Sequence, residues 1–214
     1  MLQVLLYKKT GYWIGAANGW CHWLVGLSIG GLSGYTVDMQ TTIPDVDTAL
    51  RAISGYPESL QQQVRSLITQ GKLADYLLSR YPTAHAVPND KALRSYVLDI
   101  KNHYLKQSSP LSKVIYDPTI HVVNQALGLH STVSRVQGGK LKSKRELRVS
   151  TLFKKVPEPF LNMIVVHELA HLKERDHNKN FYKLCHHMLP EYGQLELDTR
   201  LYLIQLDIGT SLYG

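Results

Sequence analysis

The sequence predicts an α+β fold, mostly helical, with a small antiparallel sheet next to a helix that carries an HExxH motif. Three observations predict it. Apolar residues recur at helical spacing in segments between residues 58 and 189. Two stretches on either side of Gly138-Gly139 read as the arms of a hairpin, the second alternating apolar and polar residues. A nearly unbroken apolar run leads into His167-Glu168-Leu169-Ala170-His171. With 214 residues, 44% of them hydrophobic and 19% charged, the chain can bury a core, which excludes wholesale disorder and a collagen-like fibre. Two cysteines, Cys21 and Cys185, cannot build a disulfide framework, and the composition excludes a multi-span membrane protein.

The N-terminal part stands apart. Residues 10–37 contain no Asp, Glu, Lys or Arg, and all three tryptophans (Trp13, Trp20, Trp23) lie there. Lys8 and Lys9 ahead of an uncharged run have the layout of a signal or anchor, but Asn18, Cys21, His22 and Ser28 interrupt it and its glycines disfavour a helix. Residues 1–40 are therefore read as an atypical extension, with Met39 as the natural start. Residues 41–110 form a helical first part and residues 111–214 the core that carries the chemistry.

Within the helical part, residues 58–70 place Leu60, Val64, Leu67 and Ile68 on one face, and residues 72–80 do the same with Leu73, Tyr76 and Leu77. Gly71 separates the two and Pro82 stops the second. Residues 90–106 carry a stripe of Leu93, Tyr96, Val97, Ile100 and Tyr104, capped by Asn89 or Asp90. Residues 113–116 read as a strand, and Asp117-Pro118 followed by Gly128 brackets a helix over 118–127. The hairpin arms are 129–137 and 140–152; in the second, Leu147, Val149 and Thr151 alternate with Glu146, Arg148 and Ser150. A final amphipathic helix over 178–189 turns Phe181, Leu184, Cys185 and Met188 inward, which makes Cys185 a buried apolar residue.

His167 and His171, four residues apart, lie one turn apart on the same helical face, so two neutral imidazoles can grip one Zn²⁺. Glu168 is the general base for a water at the metal's open position. A catalytic zinc needs a third ligand. His177 supplies it if the helix ends near Arg175-Asp176 and the chain turns back at 176–178; Glu191 or Glu196 on the following helix is the alternative. The His171–His177 spacing is that of the metzincins, but Glu174 stands where they place a glycine, so a metzincin is not inferred.

Residues 165–192, from Val165-Val166-His167-Glu168-Leu169 through an aromatic pair to Pro190-Glu191-Tyr192, resemble the YgjP-like metallopeptidase family, which is related to the WLM and SprT-like zincins. The segment ELRVSTLFKKVPEPFLNMI upstream is similar in layout, and the resemblance spans about residues 90–200. It implies a zincin-like α+β fold, zinc on His167, His171 and His177, and Glu168 as the catalytic residue. Where many relatives read Trp-Gly-Ser-Cys, residues 135–139 here read Arg-Val-Gln-Gly-Gly.

Tyr182, Tyr192 and Arg148 are candidates for contact with substrate or transition state. His186 and His187 point about 100° apart on a helix and do not readily share an ion. Residues 135–155 hold eight basic side chains against Glu146, and Lys140, Lys142 and Lys144 share one face of an extended arm beside Arg145. Such an arm either blocks strand-to-strand aggregation or attracts anions. The expected activity is that of a zinc metallopeptidase acting on peptide or protein, with the 146–151 strand as the edge that receives an extended substrate. The alternatives are a metal-dependent nucleotide pyrophosphohydrolase that holds phosphates with residues 135–155, with nucleotide or nucleic acid as partner, and a non-catalytic zinc-containing binding module. Cysteine usage and the poor leader point to the cytoplasm and to no firm membrane association.

Overall fold

The computed structural model describes residues 46–120, 128–137, 140–209 and 211–214, with side chains outside 121–144. The uncharged N-terminal run thus lies outside the described residues. Four helices come first: α1 (Val46–Leu50), α2 (Glu58–Thr69), α3 (Leu73–Arg80) and α4 (Asp90–Tyr104). Three strands follow, β1 (Leu111–Asp117), β2 (Gly128–Gln137) and β3 (Lys140–Ser150), and then α5 (Glu158–Ala170), α6 (Lys179–Met188) and α7 (Tyr192–Ile208).

Local chemistry sets several of these boundaries. At the end of α2, Gly71 adopts φ 65°. Its N–H bonds to the Ile68 carbonyl at 3.0 Å while that of Lys72 reaches Leu67 at 2.8 Å, the paired closure that a left-handed residue permits. Asn89 caps α4 by accepting from the Ala92 N–H at 3.0 Å. The α4 stripe is buried at Leu93 and Val97, but Tyr104 at its end is exposed and meets His103 and His187 edge-on. Leu105, just past the helix, takes the buried place instead.

The sheet has the order β1-β3-β2. β2 and β3 form the expected antiparallel hairpin, whereas β1 pairs with β3 in parallel, so the expectation of an antiparallel sheet is corrected to a mixed one. Only two residues separate β2 from β3, which requires them to run antiparallel, whereas ten residues separate β1 from β2 and leave β1 free to pair with the other side of β3. The expected helix over 118–127 falls mostly on residues outside the described ones; residues 118–120 make a turn in which Asp117 accepts from the Thr119 N–H (2.8 Å) and hydroxyl (2.7 Å). The parallel register sets Val114 against Leu147 and Tyr116 against Val149, and all four are buried, giving the sheet one core face. Ser150 is buried too, and Thr151 opens a 3-10 turn, so the expected alternation ends one residue early.

α5 lies in the middle of the core. Phe160, Leu161, Met163, Ile164, Val165, Val166, Leu169 and Ala170 are fully buried around its whole circumference, as befits a helix enclosed on all sides. It contacts the sheet on one side and α6 and α7 on the other. α7 has ten buried residues, including Glu196, Asp198 and Thr199. Asp198 is tied to α3 and its C-cap: it accepts from the hydroxyls of Tyr76 (3.2 Å) and Tyr81 (2.7 Å) and pairs with Arg80 at 3.5 Å.

Candidate metal centre

α5 ends at Ala170, earlier than the Arg175-Asp176 boundary expected from sequence. The N–H groups of Lys173 and Glu174 both close onto the Ala170 carbonyl at 3.0 Å, which tightens the last turn and takes the chain off the helix axis. His171 keeps helical angles as the C-cap (φ −64°, ψ −11°), so it stays one turn from His167. The chain then bends at residues 175–176, and Asn178 begins α6 by accepting from the N–H groups of Asn180 (2.8 Å) and Phe181 (3.0 Å). That return brings His177 back over α5.

Ligand atoms of His167, His171 and His177 all lie within 4.8 Å of one another, and among the described residues this is the cluster with metal-holding chemistry. Ring centroids are 5.0 Å apart for His167–His171 and 4.9 Å for His177 to each of the others. The buried ring of Phe181 packs against all three at 4.7–5.0 Å, giving the cluster an apolar floor.

Hydrogen bonds direct the nitrogens. His171 Nδ1 lies 2.9 Å from the Glu174 carbonyl oxygen. A carbonyl only accepts, so Nδ1 carries the proton and Nε2 presents a lone pair. His167 Nδ1 is 2.7 Å from the Tyr192 hydroxyl, and His167 Nε2 is 3.1 Å from His177 Nε2. Two imidazole nitrogens on one tetrahedral ion at about 2.0–2.1 Å would stand about 3.3 Å apart, so the donor set fits a metal ion. Burial first, and then the neighbouring His177 and His171, hold His167 well below the ordinary imidazole value; burial lowers His177 too. Both shifts favour the neutral imidazole, the form that metal ligation requires.

Glu168 completes the arrangement. Its side chain is 2% exposed, and its Oε2 is buried without a hydrogen-bond partner among the described residues. Burial pushes its carboxyl up to about 8. A carboxylate kept this bare costs folding energy, and a raised pKa beside a ligand cluster suits a group that exchanges a proton during reaction.

The domain model described as YgjP-like, metallopeptidase domain, matches residues 82–200. The chain belongs to the YgjP-like metallopeptidase family. A curated relative from Escherichia coli, named UTP pyrophosphatase, is 59% identical over 160 residues, which cover 75% of this chain and 96% of that protein. No solved structure matches significantly. Membership makes this YgjP-like protein a metallohydrolase-family enzyme, while the relative's name speaks of a nucleotide and not of a peptide.

The remaining candidate residues of this YgjP-like chain fall into two places, beside the histidine cluster and in β3. Tyr192 is fully buried behind His167, and Tyr182 stands half-buried beside Tyr192 and His177, with ring centroids 6.4 Å from each. Arg148 is held by two carboxylates, Asp117 and Glu146, each at 2.8 Å. Arg145 donates to the Leu172 carbonyl at 2.9 Å, pinning the turn that follows α5. The backbones of Lys140, Lys142 and Lys144 run in β3 opposite Gln137, Arg135 and Val133. As for the rival third ligands, Glu191 is exposed just ahead of α7, and Glu196 is buried and paired with Arg200 at 3.1 Å. His186 and His187 are both exposed, and Cys185 is buried and free as expected. The sequence reading missed the Glu196–Arg200 pair, whose i,i+4 spacing was its one visible signal, and the Arg145 clamp, which had none.

Finally, β3 is the central strand, with β1 on one side and β2 on the other. Residues 146–149 pair with both neighbours and Ser150 pairs with β1, so the expected substrate-receiving edge at 146–151 is corrected: over 146–149 a strand lies on either side.

Proposed function

We propose that this protein is a metal-dependent nucleoside triphosphate pyrophosphohydrolase, built on a zincin-like arrangement, with zinc held by His167, His171 and His177 and with Glu168 as general base. The observation that carries the reading is three clustered imidazoles beside a buried carboxyl whose Oε2 has no hydrogen-bond partner among the described residues. The phosphate specificity rests on likeness to the UTP pyrophosphatase. A zinc ion in the cluster would polarise a phosphoryl oxygen and lower the pKa of water. Glu168 takes a proton from the attacking water, whose oxygen forms the new bond to the α-phosphorus. The bond from that phosphorus to the α–β bridging oxygen breaks, and Glu168 returns the proton to the departing pyrophosphate. The products are a nucleoside monophosphate and pyrophosphate.

Lys140, Lys142 and Lys144 of β3 supply cations for the triphosphate, the charge that such a substrate needs most. No described helix is long and apolar enough to cross a membrane, and the free Cys185 accords with a cytoplasmic setting. Purified protein should hold one zinc per chain and release pyrophosphate from UTP. Glu168→Gln should keep the metal and lose turnover. Charge reversal at Lys140, Lys142 and Lys144 should raise KM for the triphosphate. Zinc-loaded protein that cleaves casein-type peptides and leaves nucleoside triphosphates intact would overturn the proposal, as would undiminished turnover by Glu168→Gln.

A further inference from the structure

Tyr192 is placed unusually for a residue at the start of a helix. Its side chain is fully buried, and its ring lies nearly parallel to that of His167, 6.3 Å between centroids and 19° between planes. Its hydroxyl is 2.7 Å from His167 Nδ1, the nitrogen that faces away from the cluster. His167 Nε2 faces inward, 3.1 Å from His177 Nε2.

Two proton arrangements satisfy the 2.7 Å contact, and they have opposite consequences. If the tyrosine donates to Nδ1, the imidazole proton sits on Nε2 and blocks the nitrogen that faces the cluster. If Nδ1–H donates to the tyrosine oxygen, Nε2 presents its lone pair inward. The second matches His171, whose Nδ1–H is fixed by a carbonyl that can only accept.

We infer that Tyr192 is a positioning residue for the metal: its hydroxyl accepts the Nδ1–H of His167 and holds that ring in the tautomer and orientation that offer Nε2 to the ion. The inference rests on the metal-centre reading proposed above. The partner hydroxyl is itself held rigidly. α7 is fixed two turns further on by Asp198, which binds Tyr76, Tyr81 and Gln194, and by Arg200, which donates to the Ala52 carbonyl at 3.2 Å. Movement of α7 would therefore reach the cluster through Tyr192. Outer partners of this kind raise ligand basicity and fix ring orientation.

The test compares zinc affinity, by chelator competition on the full-length protein, in wild type, Tyr192→Phe and Tyr81→Phe. Tyr81 belongs to the α3–α7 clamp and touches no ligand, so its variant reports a purely structural loss. Tyr192→Phe should bind zinc about 10–100-fold more weakly, while Tyr81→Phe keeps wild-type affinity and loses only stability. Nitrogen-15 spectra of the zinc-loaded wild type give an independent reading that decides alone if Tyr192→Phe does not fold: His167 should show a protonated Nδ1 and a metal-bound Nε2. Unchanged affinity in Tyr192→Phe, or ligation of His167 through Nδ1, overturns the inference and leaves the metal centre standing. Wild type that binds no divalent cation overturns both.

Discussion

Glu168→Gln in chelator-treated protein separates the cost of the site from its chemistry. Burial raises the Glu168 carboxyl from 4.5 to about 8 in the folded chain. The folded state keeps this proton until about pH 8, whereas the unfolded chain releases it from about pH 4.5. Between those values the folded state binds more protons, so stability falls as pH rises, by about 1.4 kcal/mol per pH unit for one proton. At pH 7 the span is about 2.5 units, which makes Glu168 cost about 3 kcal/mol relative to a neutral isostere. Glutamine fits the same space and has no such proton. Urea unfolding of both proteins at pH 5, 6, 7 and 8 should show an advantage for the glutamine variant that grows from about 1 kcal/mol at pH 5 to about 3 kcal/mol at pH 7. Every other side chain is the same in both proteins, so the difference between the curves isolates the carboxyl. Parallel stability curves across this range would refute the argument.

Two further outcomes test the frame around the site. Asp198→Ala leaves the Tyr76 and Tyr81 hydroxyls and the Arg80 guanidinium facing a buried site with no acceptor; it should cost about 3–5 kcal/mol in urea unfolding, and a loss below 1 kcal/mol would mean that the clamp does not hold α3 to α7. Gly71→Ala adds a Cβ that meets nothing within 4 Å, so its expected cost of about 1–2 kcal/mol comes from the left-handed backbone alone; an unchanged urea midpoint would contradict that.

Much of this fold could be read from residue spacing because α2, α3, α4 and α6 each turn a single apolar face inward, and a one-sided helix writes a period of 3.6 into its sequence. α5 and α7 are enclosed on all sides, so the period fades. In α7 the buried side chains include Glu196 and Asp198, residue types that normally mark a solvent face. The closeness of His167 and His171 followed from their spacing, but the place where α5 stops did not. Leu172-Lys173-Glu174-Arg175 is good helix sequence; what ends the helix is one shared carbonyl at Ala170 and the capture of the Glu174 carbonyl by His171. Strand pairing was hidden for a different reason. Alternation in residues 146–149 identifies a half-buried strand, but it does not say which chain segments lie on its two edges, and β1 arrives there from across the hairpin.

The same limit explains why the motif pointed first to peptides. Three imidazoles and a proton-accepting carboxyl activate water toward a carbonyl carbon or a phosphorus alike, since both reactions need an electrophile polarised and a proton removed. Substrate choice lies instead in what surrounds the metal. An extended peptide gains affinity by adding its backbone to an open strand edge, and along residues 146–149 both edges are filled. A triphosphate needs no edge, only cations and a metal within reach. Arg145 and Arg148 cannot be counted freely among those cations, because one is bound to the Leu172 carbonyl and the other to two carboxylates. On the proposed reading the triphosphate would be met by Lys140, Lys142 and Lys144, and charge reversal there, and not at Arg145 or Arg148, is the substitution that would separate substrate binding from the contacts these two arginines make.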